Sequence, residues 1–257
     1  MTELELDAIR ASVSGWRYRV SVVETGVGRV VVKRQRPPRS AWRARAVNVL
    51  ARLFGLRLLQ AVPAHGGAKG QAIEVERLRA LAAAGVRVPA VLHVDPGFIV
   101  IAHLDGTNLV ELIERGSAAG FESWQQGAAA LADLHGRGGY LSHAFARNFI
   151  ATDGGLAMFD FEDDPLEAMT LDEAQARDWL AYLHSTVWLL RRDACEIAAA
   201  VTAQLARERS GVRDLVTAAG RRLALLRHLP RSRRPWGREV VGVQALASLF
   251  PLQPGPA

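Results

Sequence analysis

The sequence predicts an α+β fold, with a sheet-rich half over about residues 1–104 and a larger helical half over 105–257. Three observations point there. Strand-like, β-branched runs crowd into the first hundred residues, helical patterns fill most of the rest, and one short hairpin-like pair lies between them. Such segregation argues against a doubly wound parallel sheet, in which strands and helices alternate throughout.

Taken in order, residues 17–34 read RYRVSVVETGVGRVVVKR. Two partly alternating β-branched runs flank ETGVG, as in an antiparallel hairpin or two neighbouring strands, and Lys33 closes the second run. RPPRS then breaks regular structure, and Ser40 is suited to cap a helix. Segment 41–59, AWRARAVNVLARLFGLRLL, has loosely helical spacing that puts Trp42, Ala46, Val49, Leu50 and Leu53 on one face. It carries arginines and no acids. Such a helix either packs its apolar face on the sheet or lies against an anionic membrane surface.

AVPAHGGAKG reads as a loop, followed by a helix over 70–84, QAIEVERLRALAAAG, closed at Gly85. VRVPAVLHV and GFIVIAHL read as short strands around the turn Asp95-Pro96-Gly97. LVELIERG and ESWQQGAAALADLHGRG are helical. YLSHAFARNFI is a loop that leads through Asp153-Gly154-Gly155 into the strand LAMFDF, and 170–228 is nearly all helix. RHLPRSRRPWGR reads as a solvated basic tail.

Composition narrows the function. With 49% hydrophobic and 23% charged residues the chain is an ordinary globular sequence, not a disordered one. No run reaches the roughly 18 to 20 apolar residues that span a bilayer. MTELELDAIR lacks the basic stretch and apolar core of a secretory signal. The single cysteine, Cys195, forms no internal disulfide, which suits a reducing compartment, so the cytoplasm is expected, with the basic helix able to hold the chain at the inner face of a membrane. A net charge of +6 favours anionic partners such as nucleotides, phosphorylated sugars or membrane surfaces, whereas no recognised nucleic-acid reader motif is present. Of the 32 basic residues only Lys33 and Lys69 are lysines. HGGAKG around Lys69 lacks the Gly-Lys-Ser/Thr of a phosphate loop, which leaves Lys33 as the informative one.

Phosphoryl transfer needs a group to hold phosphates, metal ions to neutralise them and a group to orient the nucleophile. Lys33 ends a strand, and Glu74 or Glu76 on the next long helix can steady its stem. Asn148 follows a helix in a loop, Asp160 ends a short apolar strand, and both offer the hard oxygen ligands that suit Mg²⁺. In this order and spacing the chain resembles the protein-kinase superfamily, in its compact atypical branches: RIO-type kinases, the small kinase of the KEOPS complex and lipopolysaccharide-core sugar kinases. EVERLRALAAAGVRVP resembles the helix that carries the lysine's partner and runs into a Gly-Val-x-x-Pro turn, a register that favours Glu74. FIVIAHLDGTNL resembles the hinge. LHGRGGYLSH followed by AFARN resembles the catalytic loop, with Leu134, His135, Gly138 and Asn148 in step, and Asp160-Phe161-Glu162 resembles the metal-binding Asp-Phe-Gly.

The resemblance implies a two-lobed protein-kinase-like fold that binds ATP and Mg²⁺. Lys33 and Glu74 would serve the phosphates, with Gly26 and Gly28 in the covering turn. Ala102, His103 and Leu104 would face the nucleobase, and Asn148 and Asp160 would hold the metal. The activity implied is an ATP-dependent phosphotransferase acting on a lipopolysaccharide-core sugar or a protein. Three departures stand out. Leu141 and His143 replace the loop His and catalytic Asp, Glu162 replaces the Gly of the metal motif, and the covering turn has only two glycines. His143 is then the candidate base beside the acceptor hydroxyl, while His135 packs between helix and loop. The alternative function is a pseudokinase that binds nucleotide or a partner without turnover. A third, from another class, is a peripheral membrane adaptor using 41–59. The run Glu162-Asp163-Asp164 reads as a solvated turn before Pro165, or as a site for an additional cation.

Overall fold

A computed structural model describes residues 1–37, 58, 60–63, 65–142 and 144–250. The predicted hairpin is present: β1 (Val20–Thr25) pairs antiparallel with β2 (Gly28–Arg34), with Val20 opposite Lys33 and Thr25 opposite Gly28. Gly28 has φ +96°, a conformation open to glycine at little cost. Two further strands, β3 (Val91–Val94) and β4 (Phe98–Ala102), complete a four-stranded sheet in the order β1-β2-β4-β3. The predicted strand VRVPAVLHV shrinks to its last four residues, because Pro89 lacks the N–H a ladder requires.

Both faces of β4 are covered, which explains the unbroken apolar run FIVIA. Phe98 and Val100 join Val30, Val32 and Ile9 on one face. Ile9 belongs to α1 (Glu3–Val13), a helix the sequence did not announce. Thr2 and Glu5 form a capping box at its start, yet only Leu6 and Ile9 are buried, so its apolar stripe is short. On the other face Ile99 and Ile101 meet Val75, Leu78 and Leu81 of α2 (Gly67–Ala83). This helix starts three residues before the expected position and takes in part of the glycine-rich loop.

Beyond β4 the chain turns helical. β5 (Thr107–Asn108) leads into α3 (Leu109–Glu114) and α4 (Ala118–Gly136). The segment expected to be a loop ends in β6 (Phe149–Thr152), which pairs with β7 (Gly155–Met158) across Asp153 and Gly154 and with β5 on its other edge. The strand expected over LAMFDF ends at Met158, so Asp160 stands two residues past it. Helices α5 (Leu171–Thr186), α6 (Ala194–Leu205), α7 (Ser210–Leu223) and α8 (Arg238–Ser248) follow. The basic stretch 231–237 is exposed, but it is no tail. It leads into α8, whose Val241, Leu246 and Ala247 are buried.

The fold is therefore mixed α+β, with small antiparallel sheets and several helices. Trp124, Trp179 and Tyr182 are fully buried in the main core. Tyr182 Oη donates to the Trp124 carbonyl at 2.6 Å and Trp124 Nε1 to Thr186 Oγ1 at 3.0 Å, so each large polar ring satisfies its donor. Segment 41–59 lies outside the described residues apart from Leu58, which is buried in the main core with its carbonyl accepting from Arg177 Nη1 at 2.9 Å. Among the described residues no helix is long and apolar enough to cross a membrane.

Candidate functional site

The alternation of β2 sends Val30 and Val32 toward α1, so Lys33 points to the opposite face, beneath α2. There its Nζ lies 2.5 Å from Glu74 Oε1. Glu74 occupies the buried face of α2 at 3% exposure, whereas Glu76, two residues on, is exposed. The helix itself therefore decides between the two acids. Asp160 Oδ1 is 3.3 Å and Glu162 Oε1 3.2 Å from the same ammonium. Burial alone would drive Lys33 toward its neutral form, but Glu74, Asp160 and Glu162 outweigh it and hold its pKa above the ordinary lysine value. Burial pushes the Glu74 carboxyl up, against the pull of Lys33.

Asp160 is reached through the hairpin β6–β7. The Phe159 amide donates to the Asn148 carbonyl at 3.1 Å, which carries the pairing one step past Phe149 and Met158. Asn148, buried at the end of the short 3-10 segment Ala146–Asn148, thus lies directly across from the residue before Asp160. Asp160 has φ +75° and Ser142 φ +73°, the two non-glycine residues with positive φ among the described residues. Backbone of this kind is costly and persists only where surroundings enforce it. Here they do so by stitching the loop to segment 161–164. Ser142 Oγ donates to the Asp163 carbonyl at 2.6 Å, and Tyr140 Oη to Asp164 Oδ1 at 2.8 Å. Arg77 donates to the Tyr140 carbonyl and stacks over the Tyr140 ring at 4.0 Å and the Phe161 ring at 5.7 Å. Burial, with the bond to Asp164, pushes the Tyr140 hydroxyl up to about 12.

The expected solvated turn Glu162-Asp163-Asp164 proves to be mostly interior, with Glu162 at 7% and Asp163 at 2% exposure. Glu162 pairs with Arg19 at 2.6 Å and Arg36 at 3.0 Å, Asp163 pairs with Arg36 at 2.6 Å, and Asp164 caps the short helix Pro165–Glu167. Buried carboxylates need such partners. The arginines were missed in the sequence, although the hairpin register that sets Arg19 beside Arg34 holds the clue.

A cavity of about 360 Å³ opens over Lys33, Glu74 and Asp160. Its walls include Val20, Val22, Ile101 and Ile150, with Ala102, His103 and Leu104 along one edge. Val20 and Val22 are 42% and 55% exposed, apolar surface that a ligand would cover. The Ala102 amide already donates to Ala90 and that of His103 to Arg29, while the Leu104 amide has no backbone acceptor among the described residues. Gly26 and Gly28 do not line this cavity, and the Gly26 amide donates to Glu5 Oε1 at 2.5 Å. His143 lies outside the described residues. His135 is buried against Glu208 at 2.8 Å and Asp178 at 3.5 Å, a structural position. Lys69 pairs with Glu167 at 3.3 Å, away from the cavity.

The structure thus brings Lys33, Glu74 and Asp160 together and lines the cavity with Ala102 and Leu104, whereas Asn148 is joined to the Asp160 segment through its backbone and is not among the residues that line the cavity. No protein-family model matches the sequence, and no curated protein is detectably similar to it.

Proposed function

We propose that the chain is an ATP-dependent phosphotransferase of protein-kinase-like, two-lobed fold, acting on a hydroxyl of a lipopolysaccharide-core sugar or of a protein. One observation carries this reading: the buried Lys33–Glu74 pair, contributed by strand and helix, faces Asp160 across 3.3 Å at the floor of the cavity. The donor set fits the ligand. Asp160 keeps 43% of its side chain exposed, and with Asn148 it supplies the hard oxygen ligands Mg²⁺ prefers. The Leu104 amide and the valine and isoleucine walls suit a purine, and about 360 Å³ falls within the usual range for small-molecule sites. Bound there, Mg-ATP supplies the transferable phosphoryl group and the charge that neutralises it. The chain's own share is to hold a cation at Lys33, orient Asp160 through the hairpin and exclude water with the sheet. His143, in place of the usual aspartate, is assigned to the acceptor proton.

A second reading, a nucleotide-binding regulator without turnover, draws on two observations. Glu162 approaches Lys33 to 3.2 Å, and Leu141 and His143 stand where an active loop carries His and Asp. A general base contributes about 10²- to 10⁴-fold, so its loss slows transfer without abolishing it.

Two measurements decide. Millimolar Mg-ATP should raise the melting temperature, and Asp160→Ala and Lys33→Ala should diminish the rise. No shift in the wild type would count against both readings. Transfer of the terminal phosphate to sugar and protein acceptors should then fall in Asp160→Ala, and equal background in both proteins would leave the regulator.

A further inference from the structure

Lys33 is ringed by carboxylates. Its ammonium donates to Glu74 at 2.5 Å and to Asp160 at 3.3 Å, and Glu162 Oε1 stands 3.2 Å away as a close charge that accepts no hydrogen bond. A phosphate oxygen reaching for Lys33 enters a place already crowded by that third carboxylate. Glu74 is fixed on α2. Asp160 stands on the cavity wall, where a metal ion could take it over. Glu162 is held differently, for its carboxylate lies 2.6 Å from Arg19 and 3.0 Å from Arg36 as well as close to Lys33. Two guanidinium groups and an ammonium around one buried anion make the set of donors that a phosphoryl group would recruit.

The position of the cavity adds a second, independent point. Arg19 and Lys33 line the cavity of about 360 Å³ and also the small space of about 10 Å³ beside it, whereas Arg36 and Glu162 line only the small one. Arg19 and Lys33 are thus reachable from the ligand side, and Glu162 sits behind them with Arg36. Charge adds to this. Arg19 and Lys33 are matched in the cavity lining by Glu74 and Asp160, and Glu162 behind them adds a further negative charge against an arriving polyphosphate.

We propose that Arg19 and Lys33, backed by Arg36, form a phosphate subsite whose anion in this structure is the chain's own Glu162 carboxylate, which competes with the phosphates of a bound nucleotide. The proposal rests on the nucleotide reading and deepens it. Glu162 sets the affinity for polyphosphate, and Arg19 becomes a phosphate contact once Glu162 withdraws.

Calorimetric titration of Mg-ATP, and separately of inorganic tripolyphosphate, into the full chain tests this. Glu162→Gln keeps the shape and removes the charge, and should bind both probes about tenfold or more tighter than the wild type. Adding Arg19→Met to Glu162→Gln should take most of the gain away. If the wild type binds and Glu162→Gln binds equally or more weakly, Glu162 is only a strut for the arginines and the subsite is overturned, with the nucleotide reading intact. If neither protein binds Mg-ATP, both fall. Should Glu162→Gln not fold, Glu162→Asp retains the charge for the arginines with a shorter reach toward Lys33. It should then show a smaller gain, and no gain would overturn the subsite.

Discussion

Lys33 is the residue on which the candidate site balances. Replacing it by Met leaves Glu74, Asp160 and Glu162 facing one another without their shared cation. Removing one partner of a buried ionic cluster costs about 3–5 kcal/mol, so Lys33→Met should lose about that much near neutral pH. The pH dependence follows from Glu74, whose folded pKa burial already raises above its unfolded value. Its neutral form is the one the interior favours, so stability recovers as pH falls through that raised pKa and the Glu74 carboxyl takes up a proton. Denaturant titrations of Lys33→Met and wild type at about pH 7 and pH 5 should show the gap narrowing on the acid side. A gap that widens there would mean the carboxylates do not depend on Lys33. A milder pair checks the site's specificity. Glu74→Gln should weaken any Mg-ATP-dependent rise in melting temperature, while Glu76→Gln should leave it unchanged, because Glu76 is exposed on the far side of α2. At this scale spacing left Glu74 and Glu76 both open as partners of Lys33, and only the register of the Gly-Val-x-x-Pro turn, taken from the resemblance, favoured Glu74. The sequence was opaque where tertiary charge pairing decides. Nothing local in Arg19, Arg36 or Glu162 says that three distant segments meet in one buried network.

Helix α4 is tied to α5 and to the connection between α6 and α7 by a buried imidazole. His135 Nδ1 lies 2.8 Å from Glu208 Oε1 and its Nε2 3.5 Å from Asp178 Oδ2. The same acids serve the frame: Trp179 Nε1 donates to Glu208 at 2.7 Å and the Leu141 amide to Asp178 at 2.5 Å. Burial lowers the His135 pKa, but bonds to Asp178 and Glu208 outweigh it and raise it overall. A histidine with a raised folded pKa contributes stability that is complete below the unfolded value of about 6.5 and is lost as pH rises through the folded value. The advantage of wild type over His135→Asn in melting temperature should therefore be largest in mild acid and shrink toward alkaline pH; an advantage that grows with pH would contradict the charged pairing. The contact of α4 with α5 allows a second test. A Cβ on Gly127 would stand 2.2 Å from Tyr182 Oη, which donates to the Trp124 carbonyl. Gly127→Ala should cost about 1–3 kcal/mol by overpacking, more than helix propensity returns, as a denaturation midpoint would record. Elements with long periodic patterns, α2 and α4 among them, were legible in the sequence. α1 and β6 were not, since the first buries only Leu6 and Ile9 and the second is four residues long and takes its register from partners on both edges.

Across the whole molecule, the sheet end and the helical end share one core. The main cluster runs from Leu78 and Leu81 of α2 through Ile99 and Ile101 of β4 to Leu109, Ile113, Leu131 and Leu134 of the helical part. Among the described residues a small group, Ile9, Val30, Val32, Phe98 and Val100, belongs to the sheet end alone. Composition and element order foretold the segregation of strands and helices, but not this continuity, because a one-dimensional pattern marks which faces are apolar and not which of them meet. The consequence is cooperative. Melting the sheet separately would strip Ile99 and Ile101 from the helical core and expose apolar area worth about 25 cal/mol per Å², so a partly unfolded state is disfavoured. Tryptophan emission, to which the buried Trp124 and Trp179 contribute, and far-UV ellipticity should give coincident denaturation curves. Native-state hydrogen exchange should protect the central amides of β4 to the same level as those of α4, while α1, joined through Ile9 to the small group alone, should open at lower cost. Ile9→Ala should then accelerate exchange in α1 and leave the β4 and α4 amides matched. If β4 opened well before α4, the two ends would be separable units, and the cavity between Ile101 and Ile150 could gape without unfolding either.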